Sequence, residues 1–133
     1  MVQINNIPLY FQVGKIKKRN ISLNLNTYRN LHYQVSNNVK KLMVEWVKEN
    51  VKDIELFPKM LFRYKIYRKT KRKADLDNIG SIVHKFLADA LVECGFMEDD
   101  NTDFIHRIEF IDGGVCKENP RADLTILCGF NDK

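Results

Sequence analysis

Cysteine, proline and tryptophan are scarce: the 133 residues hold three Cys, three Pro and one Trp. The cysteines stand at 94, 116 and 128, an odd number with no CxxC pair. That excludes a complete internal disulfide framework and offers no zinc-ligand spacing, so reduced thiols are expected. No repeat, low-complexity tract or Pro/Gly-rich linker divides the chain, and its length fits one domain on the prior of about 100–200 residues per domain. No apolar run approaches the roughly 18–20 residues that span a bilayer, which removes a membrane partner from the expectations. The first residues, MVQINNIPLYFQVGKIKK, have no charged stretch ahead of a long apolar core. The expectation is a cytoplasmic chain without a secretory signal. His32, His84 and His106 have no spacing that suggests a triad.

What is present is ordinary in amount and unusual in distribution. Apolar residues make up 44% and charged residues 29%, the composition of a folded domain. Lys and Arg number 22 against 17 acidic residues, a net charge of +5. Seven cations lie between 63 and 73: Arg63, Lys65, Arg68, Lys69, Lys71, Arg72 and Lys73. From Phe86 through His106 there is no Lys or Arg, while Asp89, Glu93, Glu98, Asp99, Asp100 and Asp103 fall there. A basic block of this density suits a polyanion, and its simpler role is a solvated face.

Periodicity places these blocks on elements. Residues 7–13 read as a first strand ended by Gly14, and 22–33 fit neither strand nor helix. Val39, Leu42, Met43, Trp46 and Val47 recur at helical spacing, predicting a helix over 36–50 capped by Ser36 or Asn37. Met60, Phe62, Tyr64 and Ile66 alternate with Leu61, Arg63, Lys65 and Tyr67, the period of a half-buried strand. Ile79, Ile82, Val83, Phe86, Leu87, Ala90 and Leu91 form a helical stripe, with Asp77 or Asn78 as N-cap and Gly95 as stop. Strands over 106–111 and 122–128, with Gly113-Gly114 in their connection, close the chain. The order β-α-β-α-β-β predicts a single α/β (α+β) domain: a mixed sheet with two main helices on one side.

Asp75-Leu76-Asp77-Asn78 follows the cations directly. In an extended segment, residues two apart share a side, so Asp75 and Asp77 could converge. Glu98-Asp99-Asp100 follows the second helix, which at about 17 residues would be roughly 25 Å long. Asp100 meets Asp75 only if the chain folds back. Hard carboxylate oxygens suit Mg²⁺ together with phosphate oxygens, and such a cluster beside cations is the arrangement of metal-assisted phosphodiester cleavage. The simpler roles are a helix cap for Asp77 and a solvated turn for Asp99 and Asp100. Asp77, Ser81 and Lys85 form an i, i+4, i+8 column, and Lys85 could stabilise transition-state charge or simply pair with Asp89.

Three ordered elements resemble the RusA family of Holliday junction resolvases. They are Lys71-Arg72-Lys73-Ala74-Asp75-Leu76-Asp77-Asn78, Lys85-Phe86-Leu87-Ala88-Asp89-Ala90-Leu91 and Gly95-Phe96-Met97-Glu98-Asp99-Asp100. Arg121-Ala122-Asp123-Leu124-Thr125-Ile126 is similar to the family's closing strand, and 22–33 to the N-terminal segment of phage members. The resemblance implies a homodimeric endodeoxyribonuclease of recombination and repair, prophage in type, that nicks four-way junction DNA symmetrically. It implies Mg²⁺ as cofactor, with Mn²⁺ as a substitute. Asp75, Asp77 and Asp100 would be catalytic and metal-binding, with Asp99 as a further ligand and Lys85 as the catalytic lysine. Relative to shorter members, four extra residues precede that lysine, so Ser81 takes its place in a gapless alignment. The seven cations would bind DNA phosphates, and Tyr28, Phe62, Tyr64 and Tyr67 could stack on unpaired bases, although the alternating pattern favours the core for Phe62 and Tyr64. A non-catalytic nucleic-acid-binding module on the same fold is the alternative. A third reading is an interaction domain whose acidic loop pairs with the basic strand of another copy.

Overall fold

Alternating hydrophobicity from Met60 to Ile66 builds the centre of the sheet. The computed structural model describes residues 1–71 and 75–129. Its elements are β1 (Val2–Pro8), β2 (Tyr10–Val13), β3 (Arg19–Ser22), α1 (Leu25–Arg29), α2 (Tyr33–Asn50), β4 (Met60–Arg68), α3 (Leu76–Glu93), β5 (Ile105–Val115) and β6 (Arg121–Leu127). Four strands form a mixed sheet in the order β1-β6-β4-β5, and β2 and β3 form a separate hairpin. β4 runs parallel to β5 and antiparallel to β6, and β6 is antiparallel to β1. The mixed α/β architecture is the one expected.

The order needs correction, because β-α-β-α-β-β omits the hairpin and α1. The expected 7–13 strand is two strands. Asn6 takes φ 62° and the β1–β6 register shifts between Ile4 and Ile7. The Asn6 N–H donates to the Asp123 carboxylate at 2.9 Å, and Pro8 then ends the ladder with no donor of its own. Leu9 still takes part in pairing, its carbonyl accepting from Leu23 N–H at 2.8 Å. In α1, the Asn24 side chain caps the first turn by accepting from Thr27 N–H at 2.8 Å. Five residues are far below the roughly 12–15 at which an isolated helix holds, so packing on α3 stabilises it. Helix α2 starts at Tyr33, three residues before the expected start at 36, with His32 as its cap instead of Ser36 or Asn37.

One core joins the layers. Ile4 and Ile7 of β1, Phe62, Tyr64 and Ile66 of β4, and Ala122, Leu124 and Ile126 of β6 meet Val39, Met43 and Val47 of α2 and the apolar stripe of α3. Each large side chain fully buried here contributes about 1.5–3 kcal/mol. Helix α3 packs close against the sheet at Gly80, where an added Cβ would stand 2.3 Å from the Phe110 ring. Gly113 and Gly114 lie inside β5 and not in a connection. Gly113 leaves room for Tyr67, whose ring would lie 2.9 Å from a Cβ there. The opposite face of the sheet carries Arg63, Lys65 and Tyr67, registered against Thr125, Asp123 and Arg121 of β6.

Candidate active site

Helix α3 begins at Leu76, with seven residues between it and the end of the basic strand, and Asp75 is its N-cap. The Asp75 Oδ1 accepts from Asp77 N–H at 3.1 Å, which corrects the assignment of the cap to Asp77 or Asn78. Leu76 is already helical, so the two-residue alternation that would have aligned Asp75 and Asp77 does not hold. Both carboxylates are exposed at the positive end of the helix, where their charge is favoured. Asp75 lines a cleft of about 550 Å³ together with Arg68, Lys69, Thr70 and Asn78, and Asn24, Asn26 and Thr27 of the α1 segment form its far wall. Asp77 is not among the lining residues.

Asp99 and Asp100 lie beyond the other end of α3. Asp99 accepts from Asp100 N–H at 2.7 Å and from the Asn101 side-chain amide at 3.1 Å. Partial desolvation raises the Asp100 pKa, and its hydrogen bond with Asp99 and the charge of Asp89 push the same way. The loop is fastened to the start of β4 by the Met60 N–H donating to the Phe104 carbonyl at 2.7 Å. Because α3 has 18 residues, it is about 27 Å long. Its start lies at the C-terminal end of β4, and the acidic loop lies at the N-terminal end. Among the described residues, no three His, Cys, Asp or Glu side chains come together as a metal-holding group. One chain therefore pairs Asp75 and Asp77 in sequence and does not bring Asp100 to them.

The column on α3 has divided surroundings. Lys85 is exposed, with Nζ 5.8 Å from the centroid of the Tyr28 ring. Eight residues separate it from Asp77, about 12 Å along the axis. Ser81 Oγ is buried and has no hydrogen-bond partner among the described residues.

The basic strand is partly neutralised by acids of the neighbouring strand β5. Arg63 Nε contacts Glu109 at 2.8 Å, and Arg107 contacts the same carboxylate at 3.1 Å. The hydrogen bond from Arg63 holds the Glu109 carboxyl below its usual range. Arg68 reaches Asp112 at 3.4 Å, and Asp112 is held low chiefly by the Gly114 N–H. Lys65 Nζ lies 5.8 Å from the Tyr67 ring centroid, and the Arg121 guanidinium stacks on the same ring at 4.0 Å. Lys69 faces the cleft and Lys71 is exposed. Arg72 and Lys73 lie outside the described residues. Phe62 and Tyr64 are fully buried and so cannot stack on a base, whereas Tyr28 meets Phe86 edge-on at 6.0 Å.

Sequence reasoning gave His84 no role, yet it forms a buried polar pair with Tyr64 across the sheet–helix interface, at 2.6 Å. The signal was a Tyr on the inward face of β4 and a His beside the α3 stripe. Desolvation lowers the His84 pKa to about 4 and raises that of Tyr64.

No protein-family model matches the chain, and no curated protein matches it significantly. No helix of the described residues is long and apolar enough to cross a membrane.

Proposed function

We propose that the chain is a Mg²⁺-dependent endodeoxyribonuclease that acts as a homodimer on four-way DNA junctions, as its resemblance to the RusA family implies. The observation that carries this reading is the cleft at the start of α3, where Asp75 stands beside Arg68 and Lys69. Cations and a hard oxygen donor share one opening there, which is what a phosphodiester and a divalent metal require. One or two carboxylates with substrate phosphate oxygens are a sufficient donor set for Mg²⁺. Asp75 retains Oδ2 after its cap bond, and Asp77 follows within the same turn. The bound metal would supply Lewis acidity for hydrolysis.

Lys69 would hold the backbone phosphate at the cleft and Arg68 would reinforce it from the strand end. Arg63, Lys65 and Lys71 would carry the flanking duplex. Arg72 and Lys73 belong to this reading by sequence alone. Asp100 enters from a second copy: two chains related by a two-fold axis with antiparallel α3 helices bring the acidic loop of one to the α3 start of the other. The two-fold also matches the substrate, since paired nicks in a four-way junction need two opposed sites.

The test is incubation of the protein with a synthetic four-way junction at low salt, with Mg²⁺ or Mn²⁺. Cleavage is expected, and its absence with both metals defeats the reading. D75N should remove cleavage and keep binding. Mixing a D75N/D77N chain with a D100N chain should restore nicking, because one of the two mixed sites is then intact. The absence of a three-carboxylate group within the described chain favours a second reading, a non-catalytic junction-binding module. It predicts junction binding that EDTA leaves unchanged and no cleavage.

A further inference from the structure

Three of the large apolar side chains most open to solvent sit on one strand. Ile108, Ile111 and Val115 of β5 are 42%, 41% and 43% exposed. This strand has 11 residues and, among the described strands, stands at the edge of the sheet, paired with β4 alone. Long edge strands with apolar side chains are open to pairing with another chain unless blocked by proline or strand shortness, and β5 has neither device. The other edge, β1, is shorter and ends in Pro8, although register shifts interrupt the pairing of both edge strands.

The sequence of β5 is complementary to itself when reversed. A two-fold axis normal to the sheet joins two edges antiparallel and keeps each face on its own side, so directly opposed residues share a face. With the axis beside Ile108, Ile108 opposes its own copy on the face covered by α3. Arg107 opposes Glu109 of the second copy on the other face, and the reciprocal pair forms by symmetry. Arg107 and Glu109 are already in contact within one chain at 3.1 Å, so the pairing builds an alternating four-charge cluster. Opposite charges facing each other across an antiparallel pair favour this register over one that opposes Glu109 to itself.

We infer that the outer edge of β5 is the docking surface for a second copy of this chain, with the two-fold axis at Ile108. The inference rests on the homodimer of the reading above and locates its interface. The register also sets the ends. The last pair within the two strands sets position 111 of one copy opposite position 105 of the other, so the 112–115 end of one β5 runs past the start of the other, on the side of its 99–104 loop. There, Cys116 N–H bonds the Arg68 carbonyl at 2.8 Å, next to the cleft that Asp75 lines. The same axis that pairs the edges thus carries each acidic loop toward the other copy's α3 start.

The experiment is oxidative cross-linking of I108C, read on a non-reducing gel against wild type and against I16C, whose site is fully exposed. Opposed residues of an antiparallel pair approach to about 4.5–5.5 Å between Cα atoms, within disulfide reach. Most of the I108C chain should become a covalent dimer, with I16C and wild type at background. Cross-linking of I108C no faster than of I16C overturns the inference. In sedimentation at micromolar concentration, wild type should be dimeric and I108K/I111K monomeric with an unchanged circular dichroism spectrum. A monomeric wild type, or a folded double variant that stays dimeric, also overturns it. A dimer that cross-links through I108C and does not cleave DNA supports the interface and defeats the nuclease reading.

Discussion

The Tyr64 hydroxyl lies 2.6 Å from Nδ1 of His84, joining the central strand to α3 through a polar pair in an apolar interior. The Phe62 ring meets the imidazole edge-on at 5.3 Å. Burial keeps the phenol protonated and the imidazole neutral, so the two share a neutral hydrogen bond whose donor is set by the imidazole tautomer. The pair satisfies two groups that would each cost about 1–3 kcal/mol if left alone.

This pair makes folding sensitive to acid. The His84 pKa falls from 6.5 to about 4 on folding, so below pH 6.5 the unfolded chain binds a proton that the folded chain refuses. The stabilisation is complete above pH 6.5 and is lost as the pH falls toward 4, by up to about 3 kcal/mol. Urea unfolding between pH 7 and 4 should show that loss in wild type and a smaller one in H84Q, whose amide does not titrate. Equal slopes for the two proteins would rule the pair out as the cause.

G80A should destabilise the fold although alanine is the better helix former. The propensity gain is about 1 kcal/mol. Against it, the new methyl would meet three carbons of the Phe110 ring at 2.3 to 2.7 Å, and overpacking of that kind costs about 1–3 kcal/mol. Denaturation midpoints of G80A and of G80A/F110A decide it. The single variant should be less stable than wild type, and adding G80A to F110A should cost less stability than adding it to wild type.

S81A should have the opposite sign. The Ser81 hydroxyl is buried without a partner among the described residues, so its removal leaves none of them unpaired and ends a desolvation cost. The expected gain is about 1 kcal/mol, seen as a higher urea midpoint at unchanged slope. A loss of stability would show that the hydroxyl has an unseen partner.

The cations should not contribute equally to DNA affinity. Removing one cation that neutralises a phosphate lowers the slope of log K against log salt by about 0.9. K69A and K71A should each show that reduction, whereas R63A should show less, because Glu109 already holds Arg63 at 2.8 Å. Filter binding or anisotropy over a range of salt checks this, and identical slopes for all three variants would discount the role given to Glu109.

Local signals in the sequence located the two strongest elements. The alternation over Met60 to Tyr67 and the stripe from Ile79 to Leu91 depend on neighbours two, three and four residues apart, and the observed β4 and α3 match them closely. Gly95 stops α3 as expected, at φ 82°. What escaped were features held by distant partners. The β1 bend is fixed by Asp123, 117 residues away from Asn6. Gly113 and Gly114 look like a turn and are strand, because the ladder with β4 continues through them and Tyr67 needs the space over Gly113.

The same division runs through the candidate site. By itself the sequence determined that the cations precede Asp75 and that Asp99 and Asp100 follow α3, since these are facts of order along the chain. Only the tertiary structure decided that Asp75 caps the helix and faces the Arg68 cleft, that Glu109 and Asp112 occupy two of the arginines, and that a rigid 18-residue helix keeps Asp100 at the far end. The reason is physical: spacing along a helix fixes separation within it, whereas charges brought together by strand pairing can be any distance apart in sequence.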